Sequence, residues 1–269
     1  MSISKKDGDY ESFLIKLVSN AIKKTLSLEK KLVSRKKNGS ELTLADIFLN
    51  KMICSALTKF NKSIPIISEE NHINSTDFLN KRYWLIDPID GTKNYINGGN
   101  EYTINIALIE NGTPVLGIIG HPPTKKIWFG SNKKAFLIKA NGIKTSLIDK
   151  KCILQNPVLI TSRYEANHLK IQSFLESNRK IEIKKVSSSL KFWILPEKNA
   201  LFYPRFTKIS KWDIAAGHAV LKAAGGEIKD LKNENYSYNY YGSHTKEFTA
   251  SISSEWTSYF RKLSSSNFL

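Results

Sequence analysis

The sequence predicts a mixed fold in two portions, an α+β half followed by an α/β half. Three observations carry this. Two stretches of helical period precede a run of short apolar segments split by turn signals. Beyond about residue 156 strand and helix patterns alternate, as in α/β proteins. Carboxylates also stand repeatedly where a strand ends or a helix begins. The chain has 269 residues, enough for a substantial core.

Residues 10–26 carry Phe13, Leu14, Leu17, Val18, Ala21 and Ile22 at helical spacing. After a basic stretch, Arg35-Lys36-Lys37-Asn38-Gly39-Ser40, a second helix has the stripe Leu44, Ile47, Phe48, Met52, Ala56, Leu57 and Phe60. Thr43 and Asp46 fall in its first turn, where a carboxylate complements the helix dipole. Strands are expected at 64–68 and 82–87. Pro88 fixes φ and cannot extend a ladder, so the second strand is expected to stop near Asp87. Gly91 and Thr92 read as a turn into a short helix. Segments 103–110, 113–120 and 126–129 form a meander broken at Asn111-Gly112 and Pro122-Pro123, and 134–139 adds a strand.

A polar stretch around 150–156 marks a boundary, giving halves 1–152 and 153–269. In the second half, strands at 158–161, 180–186 and 200–203 alternate with helices at 165–177, 188–195 and 212–224. Strands at 227–231 and 248–252 and a helix at 255–263 complete it. The Asn- and Tyr-rich segment 232–247 reads as an exposed loop. No internal repeat is present.

The net charge is +17 and hydrophobic residues make up 41%. The lysines are dispersed, with no basic helix and no aromatic-interleaved tract, so nucleic-acid binding is not predicted; the charge suits steering of acidic substrates. No apolar run approaches the ~18 residues of a bilayer span, and the N-terminus lacks a signal-peptide core. Cys54 and Cys152 show no metal-ligand spacing and read as free thiols in a reducing cytoplasm.

The chemistry concentrates at Trp84-Leu85-Ile86-Asp87-Pro88-Ile89-Asp90-Gly91-Thr92. Here an apolar strand breaks into a turn with two carboxylates three residues apart, followed by backbone N–H groups at a helix start. Hard cations take carboxylate and carbonyl oxygens, and phosphates sit well on helix N-termini. Ile64-Pro65-Ile66-Ile67-Ser68-Glu69-Glu70 ends another strand in acids, and Lys211-Trp212-Asp213-Ile214-Ala215-Ala216-Gly217 places an Asp at a helix start. The small residues after Asp213 predict close packing of that helix. His218 reads as a packed histidine rather than a ligand.

Together these segments resemble the inositol monophosphatase superfamily of magnesium-dependent, lithium-sensitive phosphatases. Gly91-Thr92-Lys93, Asn100-Glu101-Tyr102-Thr103-Ile104-Asn105, Ser188-Ser189-Leu190-Lys191-Phe192 and Tyr203-Pro204-Arg205-Phe206 are similar to its 3'(2'),5'-bisphosphate nucleotidase branch. The likeness runs from about residue 10 to 255. Asn38, Glu41, Tyr164 and Ser187 depart from the pattern, standing in place of Asp, Pro, Ser and Gly.

The resemblance implies a layered αβαβα sandwich and two Mg²⁺ ions, with a weakly held third left open. One ion would bind Glu69, Asp87 and the Ile89 carbonyl, the second Asp87, Asp90 and Asp213. Glu69, Thr92 and Asp46 would position and deprotonate the attacking water, with Glu70 in support. Gly91 and Thr92 N–H groups would receive phosphate oxygens. Ser188, Lys191 and Arg205, with Ser162, Arg163 and Ser189 nearby, would take the rest of the substrate. That substrate would be adenosine 3',5'-bisphosphate, cleaved to AMP and phosphate in the clearance of a by-product of sulfate activation. Inositol monophosphatase or sugar bisphosphatase activity stays open as an alternative, as does an inactive basic binding protein. A cytoplasmic location follows, with contact at the inner face of the membrane left open, as is the choice between monomer and homodimer.

Overall fold

The computed structural model describes residues 7–30, 32–36, 39, 41–71, 81–132, 134–148, 156–239, 242–245 and 247–264. Asn38, Cys152 and most of the expected 150–156 boundary lie outside them. In chain order the elements are α1 (Asp7–Ser27), β1 (Leu32–Arg35), β2 (Glu41–Thr43), α2 (Leu44–Phe60), β3 (Ile66–Ser68), β4 (Arg82–Asp90), α3 (Thr92–Ile96), β5 (Thr103–Glu110), β6 (Thr113–His121), β7 (Lys126–Ser131), β8 (Lys134–Ile138) and β9 (Lys144–Ser146). There follow β10 (Val158–Thr161), α4 (Leu169–Ser177), β11 (Glu182–Lys185), α5 (Lys191–Ile194), β12 (Phe202–Arg205), α6 (Lys211–Ala223), β13 (Glu227–Asp230), β14 (Phe248–Ser251) and α7 (Ser254–Ser264).

Among the described residues, one sheet has seven strands in the order β3-β4-β5-β6-β7-β8-β9. Only β3 and β4 pair in parallel; the rest is an antiparallel meander. A second sheet orders five strands β11-β10-β12-β14-β13.

Alternation within strands divides the core. In β4, Trp84 and Ile86 face α1 and α2, whereas Tyr83 and Leu85 face the core shared with α5 and α6. This is the two-residue period of a strand buried on both faces. On β12, Phe202 meets Phe174 of α4 edge-on and the next residue, Tyr203, meets Phe192 of α5. The second sheet is therefore also covered on both sides, and the order of layers is α1/α2, large sheet, α5/α6, small sheet, α4/α7.

The small residues of α6 let it seat directly on the large sheet. A Cβ at Gly117 would lie 2.2 Å from the Ala216 carbonyl oxygen, and one at Gly130 would lie 2.4 Å from the Val220 Cα. Backbone and helix touch where side chains would intervene, fixing the first turn of α6 over the ends of β4 and β5.

Several details differ from the sequence expectation, among them the segment 232–247, expected as an exposed loop, which buries Tyr236, Tyr238 and Thr245. β4 does not stop at Asp87 but resumes pairing at Asp90↔Thr103, because a bulge lifts Pro88 and Ile89 out of the ladder. The hairpin β1–β2 and the short strand β9 were not expected. The 165–177 helix is split at His168 into a 3₁₀ turn, Glu165–Asn167, and α4. The 188–195 helix is likewise a 3₁₀ turn, Ser188–Leu190, running into α5. Among the described residues no helix is long and apolar enough to cross a membrane.

Candidate active site

Parallel pairing of β3 with β4 brings two acidic strand ends side by side. Glu69 donates its N–H to the Ile86 carbonyl at 3.0 Å, which sets it beside Asp87. One Asp87 oxygen, Oδ1, accepts the Ile89 N–H at 3.0 Å across the bulge. Its other oxygen, Oδ2, is buried and has no hydrogen-bond partner among the described residues. Asp213 arrives from the first turn of α6, where Oδ2 accepts the Ser210 N–H at 3.1 Å. One oxygen caps the helix and the other is not needed for capping.

Carboxylate oxygens of Glu69, Asp87 and Asp213 all lie within 4.8 Å of one another. Burial pushes Asp87 and Asp213 well above the usual carboxylate range, and their acidic neighbours push them further. Three acids held this close, one with an orphaned buried oxygen, match the all-oxygen donor set of a hard divalent cation. The residues present fit such a group.

Asp46 approaches from α2. Its Oδ2 accepts the Thr43 N–H at 2.7 Å in a capping box, and its Oδ1 lies 3.4 Å from the Thr92 hydroxyl. That hydroxyl also donates to the Ile89 carbonyl at 3.0 Å. Burial raises the Asp46 pKa. Between Asp90 and Thr92, Gly91 has φ +91°, and a Cβ there would lie 2.6 Å from the Glu101 carbonyl oxygen. Only glycine fits this turn.

Asp90 turns toward the 3₁₀ turn Ser188–Leu190. Its Oδ2 accepts the Ser188 hydroxyl at 2.8 Å and also the Ser189 N–H. Burial raises its pKa, opposed by the Ser188 bond and the Lys191 charge. Asp90, one of the four expected metal acids, is thus bonded to the Ser188–Leu190 turn, and the close trio straddles the two expected ligand sets.

Asp90 and Asp213 also line a cavity of about 340 Å³ with Ser162, Arg163, Ser188, Lys191 and Arg205. These include all three residues expected to hold the rest of the substrate. Lys191 itself is buried and donates to the Val186 carbonyl at 3.3 Å and the Ser188 carbonyl at 2.5 Å, so it secures the loop. Burial pushes its ammonium down to about 8.

Three site residues escaped the sequence reading. Lys36 bonds Glu69 at 2.7 Å and Glu70 at 2.8 Å. Glu70, the expected supporting acid, is pushed by burial to about 7 despite that contact. Glu101 forms a two-pronged pair with Arg163, one contact at 3.1 Å. Glu165 pairs with Arg205 at 3.2 Å. Each partner lies far off in sequence, and only the basic run around Lys36 offered a local signal. His218 is buried, with Nδ1 3.3 Å from the Tyr238 hydroxyl, as a packed histidine should be.

Residues 9–263 match the model of the inositol monophosphatase family. The chain belongs to that family. It is 36% identical to a 3'(2'),5'-bisphosphate nucleotidase CysQ of Buchnera aphidicola over 220 residues, 77% of each chain. It is 34% identical to the 3'(2'),5'-bisphosphate nucleotidase CysQ of Salmonella typhimurium over 206 residues, 76% of this chain and 82% of that one. The crystal structure of CysQ from Bacteroides thetaiotaomicron, a bacterial member of the inositol monophosphatase family, superposes with a TM-score of 0.76 at 25% identity, covering 90% of this chain and 97% of that one. The family's layered α+β sandwich is the fold described above.

Proposed function

We propose that the chain is a Mg²⁺-dependent 3'(2'),5'-bisphosphate nucleotidase that hydrolyses adenosine 3',5'-bisphosphate to AMP and phosphate. The observation that carries this reading is that Asp213 belongs both to the acidic trio and to a cavity lined by Asp90, Arg163, Arg205 and Lys191. A cation-binding cluster beside a cationic pocket suits a substrate with one phosphate to cleave and a second to grip. The names carried by its relatives support the same choice.

Glu69, Asp87, the Ile89 carbonyl, Asp90 and Asp213 would hold two Mg²⁺, with Asp46 near a third. Bound there, the ions supply acidified water and positive charge against the phosphate oxygens. Asp46, its pKa raised by burial, is suited to accept a proton through the Thr92 hydroxyl 3.4 Å away. Glu69 orients the water, and the Gly91 and Thr92 N–H groups meet the phosphate. The half 1–152 carries most of the metal ligands, the half 153–269 carries Asp213 and the substrate specificity, and the enzyme acts in the cytoplasm.

The test is phosphate release with Mg²⁺ from adenosine 3',5'-bisphosphate, inositol 1-phosphate and fructose 1,6-bisphosphate. The nucleotide should lead by ~10²-fold in kcat/KM, about 2.7 kcal/mol of transition-state preference. A lead by inositol or sugar phosphate would overturn the substrate assignment.

A further inference from the structure

Glu165 stands at the fourth place of Ser162-Arg163-Tyr164-Glu165, just beyond β10. Its side chain is fully buried. Oε1 accepts the Phe206 N–H at 2.6 Å and the Thr207 N–H at 3.1 Å. Oε2 accepts the Thr207 hydroxyl and pairs with Arg205 Nε at 3.2 Å. The Ser162 hydroxyl ties both ends together, taking the Glu165 N–H at 2.9 Å and Arg205 Nη1 at 3.3 Å.

A carboxylate removed from water costs several kcal/mol unless it is paired and fully hydrogen-bonded. Here all its bonds converge on one short segment, the end of β12 and the two residues after it. The guanidinium is held on its inner edge by Glu165 and by the Thr207 and Lys208 carbonyls, at 3.0 Å and 3.4 Å. The same side chain lines the cavity beside Asp213. With Nε, Nη1 and Nη2 each bonded, the fork has little entropy left to lose, and each Nη carries a second N–H, which suits bidentate phosphate recognition.

We infer that Glu165 is a positioning residue that sets specificity: it locks Arg205 to receive the second phosphate of the substrate, and acts through Arg205 alone. This rests on the nucleotidase reading.

The experiment compares Glu165→Gln with wild type on adenosine 3',5'-bisphosphate and on adenosine 3'-monophosphate, which keeps the scissile phosphate and lacks the second. Wild type should prefer the bisphosphate. Glu165→Gln should raise KM for the bisphosphate ~10-fold or more, with kcat within about threefold and the monophosphate KM unchanged. In an Arg205→Gln background the same substitution should add nothing, because the two act as one unit. Equal losses on both substrates, or additive losses in the double variant, would reduce Glu165 to scaffolding and overturn the inference. If Glu165→Gln fails to fold, Thr207→Val removes one of the bonds to Oε2, and it should raise the bisphosphate KM alone by about threefold; no change would overturn the inference. A wild type indifferent to the second phosphate would defeat the nucleotidase reading itself. A wild type that prefers the bisphosphate, with Glu165→Gln unchanged, would defeat only the role of Glu165.

Discussion

The Ser188 hydroxyl donates to Asp90 Oδ2 at 2.8 Å, joining the turn before α5 to the end of β4, residues 98 apart in sequence. Ser188 takes φ +58° to do so, and Ser189 is held in turn by Thr103 at 2.6 Å and Asn105 at 2.8 Å. The loop that would read the substrate is thereby bonded to an acid that would hold the metal. A change on one side is felt on the other.

Asp87→Asn should separate stability from activity. The substitution removes an acid whose ionisation is opposed by burial and by Glu69, Asp90 and Asp213. Relieving about 1–2 kcal/mol of repulsion should raise the melting temperature of the metal-free protein by roughly 2–8 °C. Phosphate release should fall by about 10³-fold or more. Calorimetry in chelator and a phosphate assay read the two effects, and a lower melting temperature would contradict the electrostatic reading.

Divalent cation should stabilise the fold through the same acids. At a free Mg²⁺ concentration 100 times its Kd, linkage gives about 2.7 kcal/mol. Thermal melts with and without Mg²⁺ should show this shift in wild type and lose most of it in Asp213→Asn. A full shift in that variant would remove Asp213 from the metal site.

Gly91 and Gly98 make a paired test of backbone geometry. Both have positive φ, +91° and +74°, but among the described residues a Cβ meets the Glu101 carbonyl oxygen at Gly91 and nothing within 4 Å at Gly98. Gly98→Ala should cost about 1 kcal/mol from φ alone, and Gly91→Ala about 2–3 kcal/mol together with most of the activity. Urea unfolding measures both, and equal costs would mean that the close approach is unimportant.

Acid stability should depend on His218. Burial pushes this imidazole down to about 3, from an ordinary value of 6.5. The unfolded chain therefore binds a proton that the folded chain refuses between those values. Stability from this group is intact above pH 6.5 and drains as pH falls toward 3, at up to about 1.4 kcal/mol per pH unit. His218→Gln should flatten the stability profile in that window; an unchanged slope would exclude His218 as its source.

The acids of the site were legible because each announces itself locally. Glu69 and Asp87 end apolar strands, Asp90 follows a proline turn, and Asp46 and Asp213 open helices. The small residues of α6 gave its close packing, and the strand alternation gave both sheets. Lys36, Glu101 and Glu165 were not legible, since their partners stand 33, 62 and 41 residues away with no repeating pattern to link them. The β1–β2 hairpin escaped because Leu32 and Val33 are exposed and carry no burial signature. The continuation of β4 escaped because a bulge, which sequence does not mark, excuses Pro88 from the ladder.

The most direct test follows the two phosphates of adenosine 3',5'-bisphosphate by phosphorus NMR, with wild-type protein and Mg²⁺. The 3'-phosphate resonance should disappear as inorganic phosphate grows, with the 5'-phosphate retained, leaving AMP. Release of the 5'-phosphate, or two unchanged resonances, would contradict the nucleotidase reading.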